Sequence, residues 1–355
     1  MFGSQGVARV GVTFHPALLS RLLRSPPAFL EIVAESLSTS TSRKQARALA
    51  EVAPLSLHGT GLSLGSVEGF DVRRAVQLAK LRDELGAVAV SEHLAFVRAG
   101  DVDAGHLTPL PFTRAAVDVV ARNLERVARL LPGLLLENVW SPLPARALPD
   151  ELEEPEFLAA VVDATGCGLL LDVANLWGNA TNRGLDPLAW IDRLPLAAVR
   201  QLHIAGSHVV DGFVIDSHAD PVPAGVFELA AAVLARTGPV PVCLERDRDV
   251  DVDGVFGELE RLRAMLGDIV PVDLTPPPPS PQEVERGEET PMSIASLGVW
   301  QRALALALNA DDDGDPNLRH GRGILARKRR EKRNSRPTTT TTSFFRSPLS
   351  FWSHP

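Results

Sequence analysis

The sequence is poor in cysteine, has no excess of positive charge and contains no long uninterrupted apolar run. Cys167 and Cys243 both stand in apolar, strand-like segments, which indicates reduced, buried thiols rather than a disulfide framework. A membrane-spanning helix needs roughly 20 consecutive apolar residues, and no segment reaches that length. The net charge of −8 argues against a nucleic-acid-binding protein. Because the N-terminus also lacks the pattern of a secretory signal, we expect a cytoplasmic protein that contacts neither membranes nor nucleic acid.

Common catalytic signatures are missing as well. The chain has no Walker phosphate loop and no HExxH helix. GVTFHP, after the first apolar segment, is not the glycine-rich loop of a dinucleotide-binding sheet. These absences leave the chemistry to residues that the fold brings together from distant segments.

What the chain does have is a regular alternation of short apolar and longer amphipathic segments over residues 8–267. Several short segments, such as LLLENV and VPVCLE, are almost continuously apolar, as strands buried on both faces of a parallel sheet are. Eight βα units in about 260 residues predict a (βα)8 TIM barrel of the xylose-isomerase-like kind. A doubly wound open sheet is the alternative. The eight strand candidates are Ala8–Phe14, Phe29–Glu35, Leu55–Gly59, Val88–His93, Gly133–Val139, Gly168–Ala174, Val199–Ala205 and Val240–Glu245.

The composition changes near the end of this region, which we assign to a barrel domain at residues 1–270. Residues 271–290 are rich in Pro and Glu and predict an extended linker. Residues 291–355 begin with the pattern of a short amphipathic helix and continue with a basic run and five threonines, which predicts a disordered tail. From this composition we expect residues 272–355 to contribute little to the stability of the barrel.

Residues with metal-binding side chains end six consecutive strand candidates, from the third to the eighth. The carboxyl ends of barrel strands converge on one cavity. Arg246 is the only basic residue at these ends, so several buried carboxylates would stay unpaired without bound cations. Imidazole and carboxylate together suit Fe, Mn or Zn. The candidates are His58, His93, Glu137, Asn138, Asp172, Asn175, His203 and Glu245 at the strand ends, and Asp216, His218 and Asp220 in the segment IDSHADP.

This many candidate ligands indicates more than one ion, with Glu137 as the carboxylate expected to bridge two of them. His15, after the first strand candidate, and His106, in the long loop after the fourth, are further histidines that could face the cavity.

Eight ordered segments resemble the motifs of the multinuclear non-haem iron-dependent oxidative enzymes: SLHGTGLSLGS, SEHLAF, HLTPLPFT, LLLENV, GCGLLLDVANLW, LDPLAWIDRLPLAAVRQLHIAG, IDSHADPVP and PVCLERD. This family includes the methanobactin oxidase MbnB and the peptide-cysteine oxidases TglH and ChrH, and many members are classed only as UPF-type proteins. The resemblance implies two or three iron ions of mixed Fe(II)/Fe(III) valence, with O2 as co-substrate. It also implies oxidation of cysteine or other residues in a ribosomally made precursor peptide, often presented by a small partner protein.

The resemblance assigns roles to individual residues. The central iron ligands, among which Glu137 and His93 are expected to be catalytic, correspond to His58, His93, Glu137, Asp172, His203 and Glu245. The positions of an outer or third iron correspond to Asn175, Asp216 and His218. Three more residues are expected to support the ligands or to have an uncertain part in the site: Glu35, Asn138 and His208.

The chain also departs from the family pattern. Val33 and Ser36 stand where many members have His and Asn, and Ser207 stands where many have the second His of HxAGH. Both two and three iron ions therefore remain open. Two other functions also remain open: a redox-neutral Zn or Mn barrel isomerase or phosphodiesterase, disfavoured by the scarcity of Lys at the strand ends, and a catalytically degenerate metal-binding protein, disfavoured by the complete central ligand set.

Overall fold

The computed structural model describes residues 9–141, 151–268 and 291–309. Its strands, in chain order, are β1 (Val10–Thr13), β2 (Phe29–Val33), β3 (Leu55–Gly59), β4 (Ala89–His93), β5 (Ala95–Ala99), β6 (Val102–Pro109), β7 (Leu135–Glu137), β8 (Gly168–Asp172), β9 (Val199–Ala205), β10 (Ser207–Val210), β11 (Phe213–Asp216) and β12 (Val242–Glu245).

Eight of these strands close a parallel barrel in the order β1–β12–β9–β8–β7–β4–β3–β2. Each of them lies within one of the eight strand candidates, and the predicted (βα)8 barrel is confirmed. The strands are buried on both faces; Val12, Leu30, Leu57 and Leu244 have no exposed surface. This burial explains why several strand sequences, such as that of β8, are almost continuously apolar instead of alternating.

Helices cover the outside of the barrel. They are α1 (Leu19–Arg24), α2 (Ser40–Ala50), α3 (Val72–Leu85), α4 (Arg114–Val127), α5 (Glu154–Thr165), α6 (Val173–Asn182), α7 (Pro187–Ile191), α8 (Ala224–Thr237), α9 (Val252–Asp268) and α10 (Ile294–Asn309), with short 3-10 turns at Pro16–Leu18, Ala34–Ser36 and Leu196–Ala198. Within the described parts of the chain, no helix is both long and apolar enough to cross a bilayer.

Local sequence explains where these helices begin and end, as α3 illustrates. The Asp71 side chain accepts hydrogen bonds from the backbone N–H groups of Arg73 and Arg74, which have no partners inside the helix. Gly86 ends the helix in the left-handed conformation, with φ of 61°. Leu78 and Leu85 lie on the buried face between these two ends, so capping and apolar spacing agree.

Two hairpins extend from the end of the barrel where the strands finish. The antiparallel pair β5–β6 follows β4, and the pair β10–β11 follows β9. Both hairpins interrupt the simple βα alternation at the carboxyl ends of strands, where the candidate ligands lie. They therefore form part of the walls around the candidate site.

The C-terminal helix α10 packs on the β5–β6 hairpin and on α4. Its Leu297 and Ala305 are fully buried, and Phe96 of the hairpin contacts Trp300. The Gln301 amide donates to the Gly65 carbonyl oxygen (2.6 Å) and accepts from the Val67 N–H (3.1 Å). The apolar face of this helix is covered by the barrel, so we now expect α10 to contribute to stability, in contrast to the expectation from composition. The predicted linker at residues 271–290 and the predicted tail beyond residue 309 lie outside the described residues.

Candidate metal centre

Strand register brings the candidate ligands together. In the barrel, His93 at the end of β4 is level with Glu137 at the end of β7, and Asp172 of β8 is level with His203 of β9. Neighbouring strands lie about 4.8 Å apart, so ligands at the same level of adjacent strands can reach one ion. Glu245 ends β12, next to β9, and extends this row around the barrel.

Glu137 lies between two groups of ligands. Its Oε2 is 3.4 Å from Nε2 of His58 and 3.4 Å from Nε2 of His93. Its Oε1 is 3.0 Å from Nδ1 of His203, which is itself 3.2 Å from Oε2 of Glu245. His58, His93 and Glu137 offer one set of converging ligand atoms, and Glu137, Asp172, His203 and Glu245 offer a second. A carboxylate shared by two ligand sets has the geometry of a bridge between two ions.

The rings of His58 and His93 are oriented by polar contacts of their Nδ1 atoms. Nδ1 of His93 is 3.2 Å from the Gly59 carbonyl oxygen, which can only accept a hydrogen bond. The proton of the neutral ring is thereby placed on Nδ1, and Nε2 keeps its lone pair on the side of Glu137. Nδ1 of His58 is 2.9 Å from the Ser91 hydroxyl, and its Nε2 likewise points toward Glu137.

A buried layer under His203 was not predicted from the sequence. Nε2 of His203 is 2.8 Å from Oε1 of Glu31, and Oε2 of Glu31 accepts from the Gln201 amide at 2.8 Å. Glu31, Gln201 and His203 have no exposed surface. The sequence does contain a signal for this layer, because Glu31 is the only charged residue in the strand FLEIV. The sequence prediction was restricted to the last residues of each strand, and Glu31 lies in the middle of β2.

The three residues expected to hold an outer ion also come together. Oδ1 of Asp216 is 2.9 Å from Nε2 of His218, and Asn175 lies with them in the wall of one pocket. Nδ1 of His218 is 3.2 Å from a carboxylate oxygen of Asp247. His218 has a φ of 51°, a left-handed conformation that non-glycine residues seldom adopt, and such strain is concentrated at functional sites.

Unsatisfied atoms show that the ligand set fits cations. Glu137 Oε2, Asp172 Oδ2 and Asn175 Oδ1 are buried and have no hydrogen-bond partner within residues 9–141, 151–268 and 291–309. Buried polar atoms without partners are rare because their desolvation is not compensated. Arg246, which follows Glu245 in the sequence, forms an ion pair with Glu258 (2.6 Å) and not with the ligand carboxylates. Bound metal ions would provide partners for these buried oxygens.

The pKa values of the cluster follow from its crowded charges. Burial alone would raise the pKa of Glu137, but His203 and His93 outweigh burial and lower it. Burial would lower the pKa of His93, but Glu137 and Glu92 raise it to about 9. Burial and then the Glu137 charge raise the pKa of Asp172 well above its ordinary value. Without metal the cluster therefore retains protons at neutral pH, and metal binding would release them.

The three predicted supporting residues have different surroundings. Asn138 joins the ends of β7 and β8: its side chain accepts from the Asp172 N–H (2.8 Å) and donates to the Asp172 carbonyl oxygen (3.0 Å). Glu35 accepts from the Thr60 N–H (3.1 Å), and Thr60 lines the pocket. His208 is directed to Asp220 (2.8 Å) and is not among the pocket-lining residues.

Asp220 and the two extra histidines are not among the residues that line the pocket. Asp220 accepts from the Ser217 hydroxyl (2.7 Å) as well as facing His208, so it holds the loop that carries His218. Nδ1 of His15 accepts from the Ala17 N–H (3.2 Å) at the start of a 3-10 turn. His106 is buried within the β5–β6 hairpin, beside the carbonyl oxygen of Leu107. Of the residues that the structure describes, the pocket lining includes none of these three.

The substituted positions offer no strong ligand. The apolar side chain of Val33 lines the pocket. The Ser36 hydroxyl donates to the Val33 carbonyl oxygen (2.7 Å). Ser207 is the first residue of β10 and is level with Asp216 across the hairpin. The outer group therefore consists of Asn175, Asp216 and His218.

The pocket above these ligands has a volume of about 50 Å³, and one side of it is open to solvent. Val33, Leu107, Val139 and Trp140 form its apolar wall. The Trp140 indole N–H donates to the Val214 carbonyl oxygen (3.0 Å), which fixes this ring against the β10–β11 hairpin. A space of this size has room for ions and a few water molecules, while a larger substrate would have to approach from the open side.

Solved structures similar to this chain include endonuclease IV from Thermus thermophilus, with a TM-score of 0.46 and 17% identity over 73% of this chain and 99% of that one. They also include a xylose isomerase-like TIM barrel protein from Mycobacterium smegmatis, with a TM-score of 0.45 and 15% identity over 74% and 97%.

Sequence relatives are much more similar. A UPF0276 protein from Streptomyces avermitilis is 38% identical over 270 residues, covering 72% of this chain, and the chain spans only 54% of that relative's length. A UPF0276 protein from Chromobacterium violaceum is 40% identical over 62% of this chain and 80% of its own length. A third, from Bordetella pertussis, is 36% identical over 73% and 93%.

The family comparison covers nearly the whole barrel. Residues 9–267 match the model of the "RiPP precursor modification enzyme MbnB/TglH/ChrH", where RiPP denotes a ribosomally synthesised and post-translationally modified peptide. The match spans every barrel strand and every candidate ligand described above. The chain therefore belongs to the MbnB/TglH/ChrH family of RiPP precursor modification enzymes.

Proposed function

We propose that this protein is an iron-dependent oxidase that uses O2 to oxidise a cysteine residue in a ribosomally made precursor peptide. Family membership supports a peptide-modifying enzyme. The observation that carries the metal chemistry is the position of Glu137 between His58 and His93 on one side and His203 on the other. A bridging carboxylate and imidazole ligands suit a multinuclear iron centre.

Bound iron would supply electron transfer to O2 and would lower the pKa of a coordinated substrate thiol. The residues of this chain would hold the ions and control access to them. The buried carboxylates and imidazoles hold the ions in place, while the β5–β6 and β10–β11 hairpins narrow the approach to them. Val33, Val139 and Trp140 exclude water from one side of the pocket, which strengthens the electrostatic interactions within it.

The small cavity and its open mouth favour a flexible substrate over a folded one. One side chain of an extended peptide can enter the pocket, while the rest of the peptide lies over the barrel rim. A small partner protein that presents the peptide is part of the proposal. Because ribosomal precursors are made in the cytoplasm and both cysteines of the chain are free thiols, the proposal also places the reaction there.

The test begins with protein reconstituted under anaerobic conditions with Fe(II). Cysteine-containing candidate peptides, chosen from short reading frames next to the gene, are added with O2, and oxygen consumption and peptide mass are followed. The expected result is an O2-dependent mass change that is lost when the peptide cysteine is replaced by serine. Activity with stoichiometric zinc and without O2 consumption would instead support a redox-neutral isomerase or phosphodiesterase, and absence of metal binding would support a degenerate protein.

A further inference from the structure

The contact between Glu31 and His203 crosses the interior of the barrel. Glu31 lies on β2 and His203 on β9, and β1 and β12 separate these strands on that side of the barrel. Oε1 of Glu31 is nevertheless 2.8 Å from Nε2 of His203, and neither side chain has any exposed surface. The contact is therefore made through the lumen, directly below the ligand groups.

Glu31 has no conventional cation to neutralise it. Within the described parts of the chain, His203 is its only ion-pair partner, and no Lys or Arg reaches it. Its second oxygen accepts from the neutral Gln201 amide at 2.8 Å. Burial of a carboxylate costs free energy unless a positively charged group lies next to it. A histidine that donates to Glu31 and binds a metal ion through its other nitrogen would be such a group.

We propose that Glu31 is a positioning residue, which keeps the proton of His203 on Nε2 and leaves Nδ1 as the metal-binding atom. This inference rests on the proposed metal centre and names a part of it. Nδ1 is the nitrogen on the ligand side, 3.0 Å from Glu137 and 3.2 Å from Glu245. The neutral ring carries one proton, so a proton acceptor at Nε2 is what frees Nδ1.

The opposite tautomer has a specific structural consequence. Nε2 of His203 would then accept from the Gln201 amide, 3.3 Å away, and the proton on Nδ1 would stand between Glu137 and Glu245. That proton would occupy the position of the ion that Glu137, Asp172 and Glu245 are arranged to hold. With Glu31 present, the Gln201 amide donates to Oε2, and Oε1 lies 2.8 Å from Nε2 of His203, where it favours a proton on that nitrogen and leaves the ligand side free of protons.

Cys243 lies beside this pair, and its thiol is the natural control. Its sulfur lies within 4.8 Å of side-chain atoms of Glu31 and His203. Burial, reinforced by the Glu31 charge, raises the pKa of the Cys243 thiol, which favours an uncharged side chain that packs below the site. Replacing Cys243 therefore disturbs the same part of the barrel floor without removing the proton acceptor of His203.

The first test uses the wild-type protein loaded with Zn²⁺, which is diamagnetic, and labelled with ¹⁵N-histidine. Long-range ¹H–¹⁵N spectra should show one exchange-protected imidazole with its proton on Nε2 and metal on Nδ1, and this signal should vanish in His203→Gln. A proton on Nδ1, or metal on Nε2, overturns the inference even though the protein binds metal. Failure of the wild type to bind Zn²⁺ or Fe(II) would instead overturn the proposed function.

The second test measures affinity for Fe(II) by anaerobic competition with a chelator. Glu31→Gln keeps the shape and one acceptor oxygen and should bind about 10-fold more weakly at the weakest ion; Glu31→Leu should lose about 100-fold. Cys243→Ala should retain the wild-type affinity. Circular dichroism establishes that each variant is folded, and the isosteric Glu31→Gln keeps the test valid if the leucine variant is not. Unchanged affinity in both Glu31 variants, or an equal loss in Cys243→Ala, would sink the positioning role.

Discussion

Oε1 of Glu137 lies 3.0 Å from Nδ1 of His203, and its other oxygen faces the imidazoles of His58 and His93. One carboxylate therefore contacts ligands from three other strands of the barrel. This arrangement joins two ligand groups that would otherwise be separate mononuclear sites. The properties of the centre should consequently be most sensitive to this residue.

Glu137→Gln is expected to release at least one iron ion and to abolish oxygen-dependent turnover. An amide has the same shape but lacks the negative charge with which a carboxylate binds two cations at once. The fold should survive, because the apolar barrel core lies below the site. His106→Ala, within the hairpin, is the matched control and should be far milder. Iron per chain and O2 consumption are the measurements; a full iron complement and rate in Glu137→Gln would falsify the bridging role.

His218→Ala should remove about one iron per chain, because its ring lies with Asn175 and Asp216 in the outer group. The inner ligands do not include His218, so the iron held through Glu137 should remain. His15→Ala, at a 3-10 turn outside the pocket lining, should retain the wild-type iron content. Iron is quantified after anaerobic reconstitution and desalting. If His218→Ala and His15→Ala contain equal iron, the outer group does not hold an ion.

Glu154→Gln should change how stability depends on pH. Burial raises the pKa of Glu154 to about 7, although Arg183 and the amide of Asn179 oppose the shift. In the unfolded chain the carboxyl ionises near pH 4.5, so folding is penalised progressively as pH rises from there to about 7, and by a constant amount above. A shift of this size corresponds to about 3 kcal/mol.

The glutamine variant resembles the protonated form of Glu154 at every pH. Its free energy of unfolding should match the wild type near pH 4.5 and exceed it by up to about 3 kcal/mol at pH 8. Urea denaturation of both proteins, in the same metal state, across this range gives the comparison. A difference that does not change with pH would show that Glu154 is ionised throughout in the folded protein.

A chain that ends at residue 290 should be less stable than one that ends at residue 309. The shorter chain loses α10, which buries Leu297 and Leu304 against the barrel. Burial of two leucines is worth about 3–6 kcal/mol, which corresponds to a fall in Tm of roughly 6–24 °C for a domain of this size. The longer chain is the control, since it keeps the helix and lacks only residues 310–355. Equal thermal unfolding of the two would mean that α10 does not stabilise the barrel.

Much of the fold was predictable because a parallel barrel imposes a clear local pattern on the sequence. Strands buried on both faces are rich in apolar residues, and the helices that cover them are amphipathic, so each of the eight barrel strands lies within a strand candidate. The four hairpin strands β5, β6, β10 and β11 were not predicted. The sequence alone also determined which residues stand at the strand ends, and a closed parallel barrel brings those ends together. His58, His93, Glu137 and Asp172 were identified as candidate ligands in this way, and their side chains lie close together in the structure.

Only the tertiary structure decided which atoms meet, because contacts across the barrel depend on distances in the lumen and not on spacing along the chain. Gln201 and Glu31 are 170 residues apart in sequence and 2.8 Å apart in space. Within the described residues Arg246 pairs with Glu258 of α9 and with no ligand carboxylate, and this pairing depends on how α9 packs. The attachment of α10 depends on an apolar surface of the β5–β6 hairpin, whose existence no local pattern in the C-terminal segment encodes.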